Sequence, residues 1–200
     1  KAFIAGADIK EFSKMKIKDR KAMKEDWRVT DVISNSKKPV IAMINGFCLG
    51  GGLEIAMACD LRTASDNSKL GQPEINIGII PGAGGTQRLT KIVGEGRSME
   101  LILTGNMISA TKAESWGLVN LVTDEKQLEE KTMEIATLIA QKSPFAVERA
   151  KKSVKLASNT NLKKGLKKEQ ELFVECFKSN DGKEGIAAFI EKRKPEFKGN

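Results

Sequence analysis

The sequence predicts an α/β fold followed by an all-helical segment, and two observations indicate it. Residues 40–44 are a short, apolar, β-branched run, and the glycine turn that follows leads into a helix, as in α/β units. Beyond residue 125, four helical patterns follow one another with no strand signal between them. We therefore predict two domains, residues 1–124 and residues 125–200.

The predicted elements depend on the spacing of apolar residues and on the residues that interrupt it. Short β-branched runs predict strands and amphipathic stretches predict helices, while Pro39 and the pair Asn45-Gly46 bound the first complete strand. In chain order we predict a strand end at 1–5, a helix over 9–35, a strand at 40–44, a helix over 53–59, extended pieces at 62–65 and 69–70, a helix beginning near 86, helices at 97–104 and 110–116, a strand at 118–122, and helices at 126–142, 144–157, 161–178 and 181–192.

The composition excludes several classes of site. The chain has 200 residues with 40% hydrophobic and 30% charged, which is typical of a globular protein, and no apolar run approaches the ~20 residues of a membrane span. It contains no histidine, which excludes a Ser-His-Asp triad and a His-ligated zinc site, so proton transfer falls to carboxylates, lysines or thiols. Three scattered cysteines indicate a reducing compartment, and the net charge of +8 fits attraction to nucleic acid or to a phosphate-bearing small molecule.

Two glutamates beside glycine-rich turns are the candidate catalytic residues. Glu54 interrupts an otherwise apolar helix, and a buried carboxylate needs pairing, hydrogen bonding or protonation. Glu74 follows Pro73 in a rigid turn, and taken alone it would be a solvated surface residue. If the two carboxylates lie close together they repel and share a proton, which gives one acid and one base.

Two glycine turns accompany these acids. Residues 50–52 leave backbone N–H groups unhindered at the positive end of a helix, which suits a developing negative charge such as an enolate oxygen. The alternative is a close helix–strand crossing that needs glycine for room. Residues 82–85 lack the GxGxxG spacing and no GK[ST] ending occurs, so we expect this turn to pack beside the carboxylates rather than to bind a nucleotide.

Six motifs in a fixed order carry a resemblance to a known family. They are Ala5-Gly6-Ala7-Asp8-Ile9-Lys10, Pro39-Val40-Ile41-Ala42, Asn45-Gly46, Gly50-Gly51-Gly52-Leu53-Glu54, Gln72-Pro73-Glu74 and Pro81-Gly82-Ala83-Gly84-Gly85-Thr86-Gln87-Arg88. The chain resembles the enoyl-CoA hydratases of the crotonase superfamily over nearly all its length, and it is most similar to short-chain bacterial crotonases. The resemblance implies an α/β spiral of ββα units followed by a C-terminal all-helical oligomerisation segment.

The resemblance also implies roles for individual residues. Glu54 would activate a water for attack at C3 of the substrate, and Glu74 would deliver the proton at C2. The backbone N–H groups of Ala7 and Gly51 would form the oxyanion hole for the thioester oxygen. Substrate contacts are implied at Ala5, Ala7, Asp8, Ile9, Lys10, Gly51, Gly82, Phe189 and Lys192, of which Phe189 and Lys192 could equally serve subunit packing.

The reaction implied is the reversible hydration of a 2-trans-enoyl-CoA to a 3-hydroxyacyl-CoA, on a short-chain substrate such as crotonyl-CoA. No cofactor is expected, because coenzyme A is part of the substrate, and no metal is expected. The implied partners are the acyl-CoA thioester and further copies of the chain, as a trimer or a dimer of trimers, with no membrane. The expected compartment is the cytoplasm of a bacterium, or the mitochondrial matrix in a eukaryote.

Three other functions stay open at this point. The first is an enoyl-CoA isomerase or another thioester reaction of the superfamily, although glutamate at both acid positions favours hydration. The second is an RNA-binding protein on the same scaffold, which the lysines of 151–168 favour and the scarcity of aromatic residues, at 5%, disfavours. The third is a catalytically idle subunit kept for assembly, which the intact acid pair disfavours.

One departure from the family is expected at the N-terminus. Family members carry a further unit before the position of Lys1, with the first strands and a basic stretch near the adenosine phosphates. If the polypeptide begins at Lys1, the spiral core is N-terminally incomplete, and we expect it to be open on one side and to bind CoA more weakly.

Overall fold

The computed structural model describes residues 2–6, 8–14 and 29–200, and for residues 11–13 the backbone alone. The described contacts divide the chain into two compact units, residues 1–36 with 40–132 and residues 37–39 with 133–200. The first unit holds the strands and the second is helical. The predicted domain division after residue 124 stays a prediction.

Short strands of the first unit form two sheets. The strands are β1 (Ala2–Ile4), β2 (Ile41–Ile44), β3 (Phe47–Leu49), β4 (Leu61–Ser65), β5 (Lys69–Gly71), β6 (Met107–Ser109) and β7 (Leu121–Thr123). One sheet has the order β1-β3-β5-β6 and the other the order β2-β4-β7. All neighbours pair in parallel except β5 with β6. Parallel strands need crossover connections, and the helices between them supply these.

Helices of the first unit cover the sheets and enclose an apolar core. They are α1 (Ile9–Lys14), α2 (Val29–Asn35), α3 (Gly51–Ala58), α4 (Gly85–Val93), α5 (Glu95–Thr104) and α6 (Ala110–Ser115). Leu53 of α3 and Leu89 of α4 are fully buried together with Ile44, Leu70 and Leu118 from the strands and loops. Leu53 directly precedes Glu54, and Leu89 lies in the helix that follows the glycine turn 82–85. The core therefore fixes the two helices next to the acid and the turn.

Most of the second unit consists of helices whose N-termini are capped by the side chain of the preceding residue. Helix α7 (Leu128–Ala140) crosses the division, and α8 (Pro144–Ala157), α9 (Leu162–Lys178) and α10 (Asn180–Ile190) follow it. The side chains of Ser143, Asn161 and Ser179 each accept a hydrogen bond from the backbone N–H of the third residue of the helix that follows. Such caps satisfy N–H groups that have no partner inside a helix.

The α/β prediction is confirmed, and so is the all-helical character of the C-terminal part, since no residue from 124 onward lies in a strand. Two strands, β3 and β6, were not predicted; each is a three-residue run next to turn residues and shows no clear period. The predicted strand 118–122 is wrong in its first half: Leu118 and Val119 are buried in a loop, and β7 begins at Leu121. Residues 15–28 of the predicted helix 9–35 lie outside the described residues.

Candidate active site

The candidate site lies at one edge of the larger sheet. Because β1, β3 and β5 are parallel neighbours, their carboxyl ends meet at the same edge. The residues directly beyond these ends are Ala5, Gly50 and Gln72. Three of the sequence motifs are therefore brought together by strand pairing alone, and the Gly50 N–H extends the pairing with a 3.0 Å hydrogen bond to the Gly71 carbonyl.

Helix α3 starts from the glycine turn and lies directly on β1. A Cβ atom placed on Gly52 would overlap the carbonyl oxygen of Ile4, so this position admits only glycine at the observed separation. By contrast, no described atom lies within 4 Å of a Cβ placed on Gly51. The first N–H groups of a helix have no partner within it and carry its positive end, so the turn offers donors toward open space beside β1.

Glu54 is buried one turn inside α3, with 3% of its surface exposed. Its Oε1 accepts hydrogen bonds from the backbone N–H of Ala83, at 2.6 Å, and of Gly85, at 2.7 Å. Gly85 is the first residue of α4, so the positive end of a second helix also faces this carboxylate. Among the described residues no hydrogen bond reaches Oε2. One oxygen is thus fixed and the other is available to a ligand or a water.

Glu74 lies in a short 3₁₀ helix, Pro73–Ile77, and is half-buried. Burial raises the pKa of its carboxyl group above the usual value, a backbone hydrogen bond opposes that effect, and the nearby charge of Glu54 adds to it. The side-chain amide of Gln72, which is fully buried, faces the carboxylate. With its nitrogen turned toward Glu74, which pairs donor with acceptor, it donates to both carboxylate oxygens at 2.9 Å.

Glycines and the Gln72 side chain lie beside both acids. A Cβ atom on Gly85 would lie 3.0 Å from Glu54 Oε1 and 2.9 Å from the Gln72 amide, and one on Gly50 would lie 3.0 Å from Glu74 Oε1. The Gln72 side chain therefore lies beside both acids, and the charge of Glu54 is near enough to affect Glu74. A fixed buried carboxylate beside a carboxyl group with a raised pKa can act as a base and an acid on one bound molecule.

The cysteine thiols are poor candidates for proton transfer. Burial, with a contribution from Cys59, raises the pKa of Cys48 to about 12, so this thiol stays protonated near neutral pH. Burial also raises the pKa of Cys176 in the second unit. Within the described part of the chain, no three cysteine, aspartate or glutamate residues converge as metal ligands would.

The other predicted residues fall into three groups. Ala5, Asp8, Ile9 and Lys10 follow β1 at the site edge and are exposed, and Gly82 is exposed in the loop before α4. Ala7, predicted for the oxyanion hole, lies outside the described residues. Phe189 and Lys192 belong to the second unit, where Phe189 is 85% exposed and Lys192 has a φ of 54° just after α10.

Two buried polar side chains next to α3 were not predicted: Gln72 beside Glu74, and Arg62 at the opposite end of the helix. Gln72 gave the one available signal, a polar residue inside a motif and between a strand and a proline. Arg62 gave none: it is buried and its guanidinium donates to the carbonyl groups of Leu118, at 2.6 Å, and Cys59, at 3.0 Å. A third, longer bond reaches the Ala56 carbonyl, so a cation lies at the negative end of α3.

Comparison with known proteins places this arrangement in a family. The model of the enoyl-CoA hydratase/isomerase family matches residues 1–200. The chain belongs to the enoyl-CoA hydratase/isomerase family. The crystal structure titled enoyl-CoA hydratase from Bacillus anthracis superposes with a TM-score of 0.92 at 43% identity, covering 98% of this chain and 76% of that one. The crotonase-like fold class is therefore confirmed.

Curated relatives are similar over nearly the whole chain. The enoyl-CoA hydratase, mitochondrial, of Pongo abelii is 46% identical over 200 residues, which are 99% of this chain and 68% of the relative. The short-chain-enoyl-CoA hydratase of Clostridium acetobutylicum is 45% identical over 98% of this chain and 76% of the relative. The chain is thus similar to curated enoyl-CoA hydratases along nearly all of its length.

Proposed function

We propose that this chain adds water reversibly to a 2-trans-enoyl-CoA and gives the 3-hydroxyacyl-CoA. The observation that carries the proposal is the acid pair: Glu54 is buried with one oxygen fixed, and Glu74 lies near it, across the Gln72 side chain, with a raised pKa. Membership of the enoyl-CoA hydratase/isomerase family supports the substrate class.

The geometry supports a division of roles between the acids. In the proposed reaction the free oxygen of Glu54 takes a proton from a bound water as the water oxygen forms a bond to C3. The electron pair of the double bond moves toward the thioester carbonyl, and Glu74 delivers a proton to C2. A carboxyl group with a raised pKa is suited to giving up a proton near neutral pH.

The thioester oxygen needs donors while it carries negative charge. We assign this role to the N–H groups of Gly51 and Ala7, of which Gly51 lies at the positive end of α3. Each well-aimed donor contributes about 3 kcal/mol in the transition state, because the charge on the oxygen develops there. The proposed reaction uses no cofactor, since coenzyme A is part of the substrate.

Glutamine substitutions test the acid roles. We expect Glu54→Gln and Glu74→Gln each to lower kcat for crotonyl-CoA hydration by at least about 10²-fold. Each substitution removes one proton transfer, and glutamine keeps the size and shape of the side chain. The loss of enoyl-thioester absorbance measures the rate, and circular dichroism verifies the fold. Glu95→Gln, an exposed glutamate of the same unit, is the matched control and should leave kcat unchanged. Near-normal hydration by either acid variant would remove its assigned role.

We infer a preference for short acyl chains, which the clostridial relative supports by its name. Assays of crotonyl-CoA against eight- and twelve-carbon enoyl thioesters, at about equal concentrations, test it through the ratio of kcat/KM values. A higher ratio for a longer chain would contradict the preference without touching the reaction itself.

We also infer a homo-oligomer, a trimer or a dimer of trimers. Large apolar side chains of the second unit are exposed in the single chain, which supports association; they are Phe173, Phe177, Phe189 and Ile190. Light scattering would give the mass of the assembly.

No helix of the described segments is long and apolar enough to cross a membrane. We propose a bacterial cytoplasmic or a mitochondrial matrix location.

A further inference from the structure

We propose that Arg88 is a positioning residue, which holds the loop 82–85 so that its N–H groups converge on Glu54, and that Asp31 orients Arg88. The inference rests on the proposed function for its kinetic consequence. Whether the Arg88 guanidinium supports the loop can be measured without any assay of activity.

The contacts form a continuous chain from α2 to the carboxylate. Asp31 of α2 accepts a bond from Arg88 Nη2 at 3.2 Å, and Arg88 Nη1 donates to the Ala83 carbonyl at 2.8 Å. The N–H groups of Ala83 and Gly85 in turn donate to Glu54 Oε1. Four links therefore connect a surface helix with the buried acid.

The held carbonyl lies at the centre of the loop. The peptide group between Ala83 and Gly84 carries the oxygen that Arg88 binds. The two N–H groups that bind Glu54 belong to the peptide groups on either side. Since neighbouring peptide planes are joined through only two soft torsions each, fixing the central plane restricts both flanking donors. The same effect cannot come from α4 alone, because Ala83 precedes its first turn.

Gly84 makes room for the guanidinium. It has a φ of +103°, a conformation that side-chain-bearing residues rarely adopt, and a Cβ atom there would overlap Arg88 Nη1. The glycine thus permits both the turn and the close seat of Arg88. It also leaves the loop intrinsically free to rotate, which is why an external anchor is needed.

Exposure decides between a positioning and a stabilising role. The side chains of Arg88 and Asp31 are 23% and 38% exposed, and ion pairs at such exposure contribute little to stability. The ion pair therefore serves to orient the Arg88 guanidinium, so that one of its nitrogens faces the loop. Loss of Asp31 should weaken this orientation, and loss of Arg88 should abolish it.

Steady-state kinetics on crotonyl-CoA provide the first test. We expect Arg88→Ala to lower kcat by about 10- to 100-fold, since displacing a catalytic group by a fraction of an ångström has costs of this order, with KM changed by less than about threefold. Arg88→Lys should recover part of the loss, because an ammonium can still reach one carbonyl. Asp31→Asn should cost less than Arg88→Ala. Arg97→Ala removes a guanidinium that stacks on Trp116 in the same unit, and this control should match the wild type.

Amide hydrogen exchange gives a readout that needs no activity. In Arg88→Ala the Ala83 and Gly85 amides should exchange at least about tenfold faster, with core amides of α3 unchanged, because only local opening is altered. Unchanged exchange at both amides would overturn the proposal, as would wild-type kcat in an active protein. If the wild type fails to hydrate crotonyl-CoA, the proposed function falls, and exchange alone decides whether Arg88 supports the loop.

Discussion

Glu74 links the chemistry of the site to the stability of the fold. Burial raises its pKa in the folded chain above that of the unfolded chain, so the folded state binds this proton more tightly. Its contribution to stability is complete below the unfolded pKa. The contribution is lost as pH rises through the raised, folded pKa.

Replacing Glu74 should therefore change how stability depends on pH. We expect Glu74→Gln to gain stability relative to the wild type as pH rises above the usual glutamate pKa of about 4, because the variant has no buried charge to form. Urea unfolding at several pH values measures the difference, and Glu95→Gln serves as the control. A difference that stays flat, or that falls with pH, would contradict the raised pKa.

The sequence analysis identified the acids better than their surroundings. Glu54 was recognisable because it is the one charged residue in an apolar helix, and such a carboxylate requires partners. The partners themselves, the N–H groups of Ala83 and Gly85, are about thirty residues away, and Asp31 is 57 residues from Arg88. Contacts over such separations are set by the packing of α2 and α4 against α3, which no local pattern encodes.

At the scale of elements, the seat of α3 on β1 determines where the glycine turn points. Gly52→Ala should destabilise the protein by about 1–3 kcal/mol and reduce activity, because the new methyl group overlaps a backbone carbonyl that no rotamer change can relieve. Thermal unfolding and the hydration assay measure the two effects.

Gly96→Ala supplies the matched control for that substitution. Gly96 lies in the first turn of α5, and no described atom is within 4 Å of a Cβ placed there. We expect a change between neutral and about 1 kcal/mol of stabilisation, since alanine favours helix. Equal effects of the two substitutions would show that helix propensity, and not the close approach to Ile4, governs position 52.

In the second unit, Asp181 ties the segment after α10 to the helices. Its buried carboxylate accepts bonds from Ser143 Oγ, at 2.6 Å, and from the N–H groups of Lys198 and Gly199. Burial alone would raise the pKa of Asp181, but these bonds outweigh it and lower the pKa. Its stabilising contribution is therefore present above the unfolded pKa and is lost as pH falls through the folded value.

Asp181→Asn should remove that contribution. We expect a loss of about 1–3 kcal/mol near neutral pH, since several bonds to one charged group are weakened together, and a smaller loss in acid, where the wild type is protonated too. Denaturant unfolding at neutral and acidic pH measures the difference, with the exposed Asp66→Asn as control. A loss of stability that grows in acid would contradict the lowered pKa of Asp181.

At the scale of the whole molecule, fold class was the most predictable property. Alternating strand and helix patterns up to residue 123, and helices beyond, follow from apolar periodicity and are local. The three-residue strands β3 and β6 were missed although glycine flanks β3 on both sides, because so short a run between turn residues is not distinguished locally from a loop. The meeting of β1, β3 and β5 at one edge follows from strand order, which the periodicity of the sequence does not encode.

The central claim is that the acid pair adds water across a carbon–carbon double bond. Proton NMR of crotonyl-CoA incubated with the protein in D₂O tests it most directly. We expect 3-hydroxybutyryl-CoA with one deuterium at C2, formed by the wild type and the Glu95→Gln control and strongly slowed in Glu54→Gln and Glu74→Gln. Unchanged crotonyl-CoA, or a double bond moved to C3–C4 with no hydroxyl at C3, would contradict it.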